Sequence, residues 1–144
     1  MNDAELAFLF SEVARLSRRR FSQQMESLKL THAQSRTLLR LARFEGLRQV
    51  ELARLLEIQP ITLVKQLDQL VEMGLIERRQ DETDRRAFRL FLLPAANAVL
   101  NEIQQEVSIL MANMGRHISQ ENMDIFASLL LQMKKNLSDG TDET

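Results

Sequence analysis

Gly74-Leu75-Ile76-Glu77-Arg78-Arg79-Gln80-Asp81-Glu82-Thr83-Asp84-Arg85-Arg86-Ala87-Phe88-Arg89-Leu90-Phe91-Leu92-Leu93 is the stretch from which the architecture of this chain can be read. A short strand pattern, Leu75 to Arg79, runs into a polar tip and returns as a second strand pattern, Ala87 to Leu93. The tip carries Asp84-Arg85-Arg86. Such a ribbon, with a guanidinium pair at its end, suits something planar and anionic. Immediately upstream lie two short helix patterns in tandem, Arg48 to Leu56 and Pro60 to Met73. Helix, tight turn, helix and basic hairpin are the parts of a winged helix-turn-helix, and the plainest use of that set is binding to double-stranded DNA.

Outward from this stretch the chain reads as mainly α with a small two-stranded β wing. Apolar residues at Leu6, Leu9, Phe10, Val13, Leu16 and Phe21 mark a helix from Asp3 to about Met25. Thr31 is expected to cap a second helix, with Gln34 as its capping-box partner. That helix runs to Phe44, buries Leu38, Leu39, Leu41 and Ala42, and stops at Glu45-Gly46. Val50, Leu52, Ala53, Leu55 and Leu56 are the apolar positions of the third. Pro60 suits the first turn of the fourth, which buries Leu63, Val64, Leu67, Leu70 and Val71 before Gly74 ends it in a left-handed cap. Pro94 closes the second strand and opens a helix to about His117, with Val99, Ile103, Val107, Leu110 and Met114 as its stripe. Ser119 caps a last helix, and the tail from Ser138 to Thr144 is polar and expected to fray.

The organisation expected is one domain over 1–144. Residues of about 30–93 form the winged helix-turn-helix part, about 1–28 and 94–138 form dimerisation helices, and 139–144 form a flexible tail. The terminal helices exceed what a small DNA-binding core requires and carry apolar residues on more than one side. Two interleaved protomers bury that surface, so a homodimer is expected.

Composition narrows the function classes. Apolar residues make up 44% of 144 residues, enough for a core, and the 5% of aromatics are all Phe. Without Trp or Tyr, a stacking platform for single strands is not expected. The absence of Cys removes disulfides, thiol redox sensing and thiolate metal sites. Two histidines do not make a metal centre, and no metal or cofactor is expected. Four glycines supply no phosphate-cradling loop, and no nucleophile has a positioned base, so the chain does not read as an enzyme. No apolar run reaches the length of a membrane span, and the acidic start shows no secretory signal; a cytoplasmic protein is expected. The net charge of −1 hides an asymmetry: residues 1–93 carry 16 Lys/Arg against 13 Asp/Glu, whereas 94–144 carry 3 against 7. A basic half turned to an anion, with an acidic half clear of it, fits that division.

The candidate DNA-binding residues follow from the helix periodicity. With the apolar set inward, the fourth helix turns Gln59, Ile61, Thr62, Lys65, Gln66 and Gln69 outward. Lys65 can donate to guanine or phosphate, Gln66 can pair with adenine, and Thr62 can meet a thymine methyl. Arg85 and Arg86 can enter the minor groove or clamp phosphate, and Asp84 can hold an arginine in one rotamer or simply lower the local potential. Arg48 and Gln49, at the start of the third helix, can reach a phosphate. Arg15, Arg18, His32 and Arg36 are candidates for an anion pocket between the dimer helices and the helix-turn-helix, with solvation or intersubunit ion pairing as the competing role of the arginines. The competing reading is a protein-interaction module that uses the ribbon for a partner protein.

Leu30-Thr31-His32-Ala33-Gln34, Val50 to Leu56, Thr62 to Leu70, Gly74-Leu75-Ile76-Glu77-Arg78 and Asp84-Arg85-Arg86 together resemble the MarR family of winged-helix regulators, in particular its SlyA-like branch. The resemblance implies a homodimer on a palindromic operator, with binding often lost when a small phenolic or other aromatic carboxylate arrives. It implies Thr62 and Lys65 at the bases and Arg85 in the minor groove. The chain departs from the family pattern at Leu93-Pro94-Ala95-Ala96, where Leu-Thr and a later Gly are usual, and at Lys65, where the branch often has Arg.

Overall fold

The computed structural model describes residues 1–139. In chain order they form α1 (Asp3–Met25), a 3-10 turn (Glu26–Leu28), α2 (His32–Arg43), α3 (Gln49–Leu56), α4 (Pro60–Glu72), β1 (Ile76–Gln80), β2 (Phe88–Leu92), α5 (Ala95–Met114) and α6 (Gln120–Asp139). The chain divides into two compact units, one from Met1 to Ser108 and one from Ile109 onward.

Capping chemistry sets the helix starts. Asn2 accepts from the Glu5 N–H at 2.9 Å while the Glu5 carboxylate accepts from the Asn2 N–H at 2.8 Å, so α1 opens on a full capping box. Thr31 and Gln34 do the same for α2, at 3.1 and 3.0 Å, as the sequence predicts. Each box satisfies N–H groups that the first helical turn leaves without partners. Pro60 stands in the first turn of α4. Gly74, at φ +73°, ends that helix: its N–H donates to Val71 and that of Leu75 to Leu70.

β1 and β2 pair antiparallel from Ile76 opposite Leu92 to Gln80 opposite Phe88. The strands are displaced from the expected limits. Leu75 spends its N–H on the α4 cap, and Asp81 and Ala87 have already entered the tip, joined by the Asp81 N–H to the Ala87 carbonyl at 2.9 Å. The core of the first unit lies where α2, α3 and α4 meet the wing, with Leu38, Leu41, Leu52, Leu63, Leu67, Leu70, Ile76 and Leu90 fully buried.

The inward faces differ in part from the periodicity reading. On α2, Ala42 is exposed and Leu39 half-buried, while Gln34, Ser35 and Thr37 are buried. These polar groups are tolerated because each is bonded: the Ser35 hydroxyl donates to the Thr31 carbonyl at 3.0 Å, and Gln34 and Thr37 reach α4. On the eight-residue α3 only Leu52, Ala53 and Leu56 share the inner face, which leaves Val50 and Leu55 outside; Val64 and Val71 of α4 are also exposed. The buried positions of α5 are Ala96, Leu100 and Ile103, a stripe rotated from the expected one, with Val99, Val107 and Leu110 half-buried. This helix ends at Met114, one turn before His117, whose φ of +66° is incompatible with continuation.

In the second unit, Ser119 accepts from the Asn122 N–H at 3.2 Å, the expected cap of α6. Ser138 and Asp139, expected in a frayed tail, continue that helix; the rest of the expected tail lies outside the described residues. No side chain of α6 is buried.

Candidate nucleic-acid interface

Burial of Leu63, Leu67 and Leu70 at helical spacing turns the opposite side of α4 to solvent. Ile61 is 72% exposed, and Gln59, Thr62, Lys65 and Gln69 are exposed with it. Gln66 is half-buried. Its amide oxygen accepts from the Thr37 hydroxyl at 2.8 Å, and that of Gln69 accepts from Gln34 Nε2 at 2.7 Å. Two of the outward glutamines are therefore also part of the seam between α2 and α4, a role the periodicity of α4 alone cannot reveal.

At the start of α3, Arg48 is the cap residue and Gln49 the first helical residue. Both side chains reach the wing. Arg48 Nε donates to Asp81 at 3.0 Å, and Gln49 accepts from Arg78 Nε at 2.7 Å. Arg78 also pairs with Asp68 of α4 at 2.7 Å, so one guanidinium joins β1, α3 and α4. A guanidinium offers five N–H donors, and the Asp81 bond uses one of those on Arg48.

The wing is organised by Asp81, whose side chain is only 3% exposed. One carboxylate oxygen accepts from the Thr83 N–H at 2.9 Å, the Thr83 hydroxyl at 2.8 Å and the Asp84 N–H at 3.3 Å. The other accepts from Arg48 and, at 2.8 Å, from Arg89 Nε. The Thr83 N–H above all, then the Thr83 hydroxyl, the Asp84 N–H and the Arg48 charge, outweigh burial and hold this carboxyl well below the usual carboxylate range. Arg89 also donates to the Gly46 carbonyl at 2.8 Å, and Gly46, at φ +88°, lies under the Phe91 ring. Arg79 stands directly opposite Arg89 in the strand register. It is drawn aside over Phe91, 3.9 Å from the ring centroid, and pairs with Glu77.

At the tip, Asp84 grips no arginine side chain among the described residues. Its carboxylate accepts from the Arg86 backbone N–H at 3.0 Å and its carbonyl from the Ala87 N–H, which closes the turn. Arg85 and Arg86 are exposed, and neither forms an ion pair among the described residues. The residues that sequence reasoning missed are Asp81, Arg78 and Arg89. Asp81 entered the sequence reading only as one residue of the quoted stretch. Its signal was the Asp-x-Thr spacing of Asp81 and Thr83, a local turn pattern.

At the corner of α1 and α2, the His32 ring meets Phe21 edge-on with centroids 5.4 Å apart. Burial first, then the charges of Arg18 and Arg36, lower the His32 pKa from its ordinary 6.5. The charges of Arg18 and Arg36 therefore reach the His32 ring, whereas the Arg15 guanidinium lies 3.9 Å from Glu12. Among the described residues no cluster of ligating side chains suits a metal ion, and no helix is long and apolar enough to cross a membrane.

Residues 30–88 match the model of the MarR family. The fold is that of solved MarR structures: one is 26% identical with a TM-score of 0.87, over 100% of this chain and 98% of the other. A mutant MarR from E. coli, complexed with operator DNA, is 23% identical with a TM-score of 0.80, over 90% and 93%. The transcriptional regulator SlyA is 22% identical with a TM-score of 0.84, over 96% of both chains. The family match lies on the helix-turn-helix and wing, and the likeness to solved MarR structures extends to the flanking helices.

Proposed function

We propose that the chain is a homodimeric, sequence-specific regulator that binds a palindromic double-stranded operator in the cytoplasm, in the manner of the SlyA-like branch. The observation that carries this reading is the pairing of two surfaces on one frame. The exposed side of α4 and the exposed Arg85 and Arg86 tip are both tied to the start of α3, through Arg78 and through Asp81. In this reading Gln59, Ile61, Thr62 and Lys65 face the major groove. Arg85 enters the minor groove, Arg86 lies along phosphate, and Asp84 shapes the tip. Arg48 and Gln49 serve the backbone contact from the start of α3, with Arg48 offering its remaining N–H groups. Gln66 and Gln69 act from the seam with α2.

Dimerisation is supported within each unit. In the first, α1 exposes Leu6, Phe8, Leu9, Phe10, Val13 and Leu16, with Phe8 at 67%. In the second, α6 exposes Ile125, Phe126, Leu129, Leu131, Met133 and Leu137. Apolar faces of this size in water forgo about 25 cal/mol for each Å² that a second copy covers. Residues of about 1–28 and 94–138 are the dimerisation helices, and about 30–93 the DNA-binding part. The effector proposed is a small aromatic carboxylate, held by Arg18, His32 and Arg36 with Arg15 at the margin. It acts by favouring a dimer whose recognition helices no longer match one duplex turn.

Selection of bound duplexes from a random pool, with light scattering at micromolar concentration, tests the reading. A palindromic consensus and a dimer mass are expected. A single-chain mass, or binding without salt dependence or sequence preference, would leave the protein-interaction reading in its place.

A further inference from the structure

The hydrogen bonds between α2 and α4 have a direction. The Thr31 backbone N–H donates to Gln34 Oε1 at 3.0 Å. A backbone N–H can only donate, so the oxygen of this amide must face it. The Gln34 nitrogen is then the group turned to α4, where it donates to Gln69 Oε1 at 2.7 Å. Turning the Gln34 amide end for end would set donor against donor at Thr31, and turning Gln69 would do so at Gln34. Gln34 is 6% exposed, so water does not relieve either mismatch. The chain of bonds therefore ends with Gln69, an exposed residue, holding its oxygen against α2 and leaving its Nε2 donor without a hydrogen bond among the described residues. Gln66 is not constrained in this way. The single proton of the Thr37 hydroxyl lies between the Ala33 carbonyl (2.9 Å) and the Gln66 amide (2.8 Å), and a hydroxyl accepts as readily as it donates.

We propose that Gln34 is a positioning residue that fixes Gln69 as a donor toward DNA, so that Gln69 meets an acceptor oxygen or nitrogen and cannot make the two-point pair with adenine, which needs both ends of the amide. This deepens the reading of α4 as the recognition helix and rests on it. The acceptor is either a base edge, such as guanine O6/N7 or thymine O4, or a phosphate oxygen.

Gln34→Glu tests the direction. Glutamate is the usual partner in a capping box, so one carboxylate oxygen keeps the Thr31 N–H and α2 stays capped. The other oxygen can only accept. It draws the Gln69 nitrogen inward and turns the Gln69 oxygen to the DNA. Because the added charge by itself weakens binding to any duplex, the reading is the coupling between the two sites. Gln34→Glu is compared in the native and Gln69→Ala backgrounds, on the selected operator and its base-substituted series. The loss should be about three- to tenfold larger when Gln69 is present, the equivalent of one net hydrogen bond. A base-edge acceptor concentrates this coupling at one operator position; a phosphate acceptor spreads it evenly. Equal losses in both backgrounds would overturn the proposal. If Gln34→Glu does not fold, side-chain amide NMR of the native protein decides. Adding operator should shift the Gln69 NH2 signals and leave those of Gln34 in place, and an unmoved Gln69 overturns the assignment. A native chain that selects no duplex defeats the regulator reading itself, an outcome separate from both.

Discussion

Replacing Arg85 by alanine removes a guanidinium that forms no ion pair among the described residues. The bond that residue 85 makes within the wing uses its backbone carbonyl, which accepts from Gln80 Nε2 at 2.9 Å and survives the change. Folding stability should therefore stay as it is, and the whole effect should fall on DNA. A dimer carries two wings. If each Arg85 neutralises one phosphate equivalent, the dependence of log K on log salt should flatten by about 1.8, from roughly 0.9 for each. Over a change from about 50 to 200 mM salt, that flattening shrinks the advantage of the native protein by about tenfold. The loss at fixed salt should be on the order of 1–3 kcal/mol. Fluorescence anisotropy of a labelled operator at several salt concentrations, with circular dichroism as the check on folding, measures both quantities. Unchanged dissociation constants and parallel salt plots, with native dichroism, would refute the role of the wing tip. Arg89→Ala is the informative contrast. It cuts the bonds to Asp81 and Gly46, so it should lower thermal stability as well as affinity.

Asp81→Asn tests the hub through its pH dependence. The folded carboxyl titrates below its ordinary 3.8, so the unfolded chain takes up the proton first and the stabilisation exists only above that range. The melting-temperature gap between Asp81→Asn and the native protein should be constant from neutral pH down to about 5 and close below about 4; a gap independent of pH would exclude the charge as its cause. His32 has the opposite charge and the same sign of effect. Its folded pKa is lowered from 6.5, so the native protein should lose stability relative to His32→Gln as pH falls through that value, seen in parallel thermal melts. An aromatic carboxylate seated there should bind more tightly at lower pH in calorimetry, because it favours the charged imidazole; affinity independent of pH would move the effector elsewhere. Leu67, fully buried, sets the scale of the core: Leu67→Ala should cost about 2–5 kcal/mol in chemical denaturation, and a loss below about 1 would mean that α4 packs otherwise.

The helices and their caps were legible because each is a local matter. Asn2 and Glu5 aside, the Thr31–Gln34 box, Pro60, Gly74 and Ser119 are visible as short spacings and act within one turn. The inner faces were less legible. Val50 and Val64 are as apolar as Leu52 and Leu63, and only the position of neighbouring helices decides which of them is covered. The site divides in the same way. Ile61, Thr62, Lys65, Arg85 and Arg86 were readable as an outward face and a tip, because exposure follows from period and turn. The bonds of Asp81 to Arg48, of Arg78 to Gln49 and of Gln34 to Gln69 span 33, 29 and 35 residues, and no local pattern announces them. Asp84 was misjudged for a related reason. Its charge suggested a partner of opposite sign, whereas its short side chain was better placed to take the backbone N–H two residues on.

The ties that fix the wing to α3 and α4 also limit what kinds of operator can arise. Asp81 and Arg78 hold their partners at 2.7–3.0 Å, leaving no slack between the strand ribbon and the helix beside it. One base pair adds about 3.4 Å along the duplex, more than such bonds can stretch and remain bonds. Under the proposed function, the letters read by α4 and the letters beneath the wing of one protomer therefore form a word of constant length. An inserted base pair inside that word breaks the reading outright, while a substitution only weakens it. Between the two words of the proposed palindrome, the interval would belong to the joint between protomers, which these ties do not touch. Among duplexes selected by the protein, half-sites should accordingly drift in spelling but not in length, and tolerance of added or lost base pairs, where it occurs, should be confined to the centre.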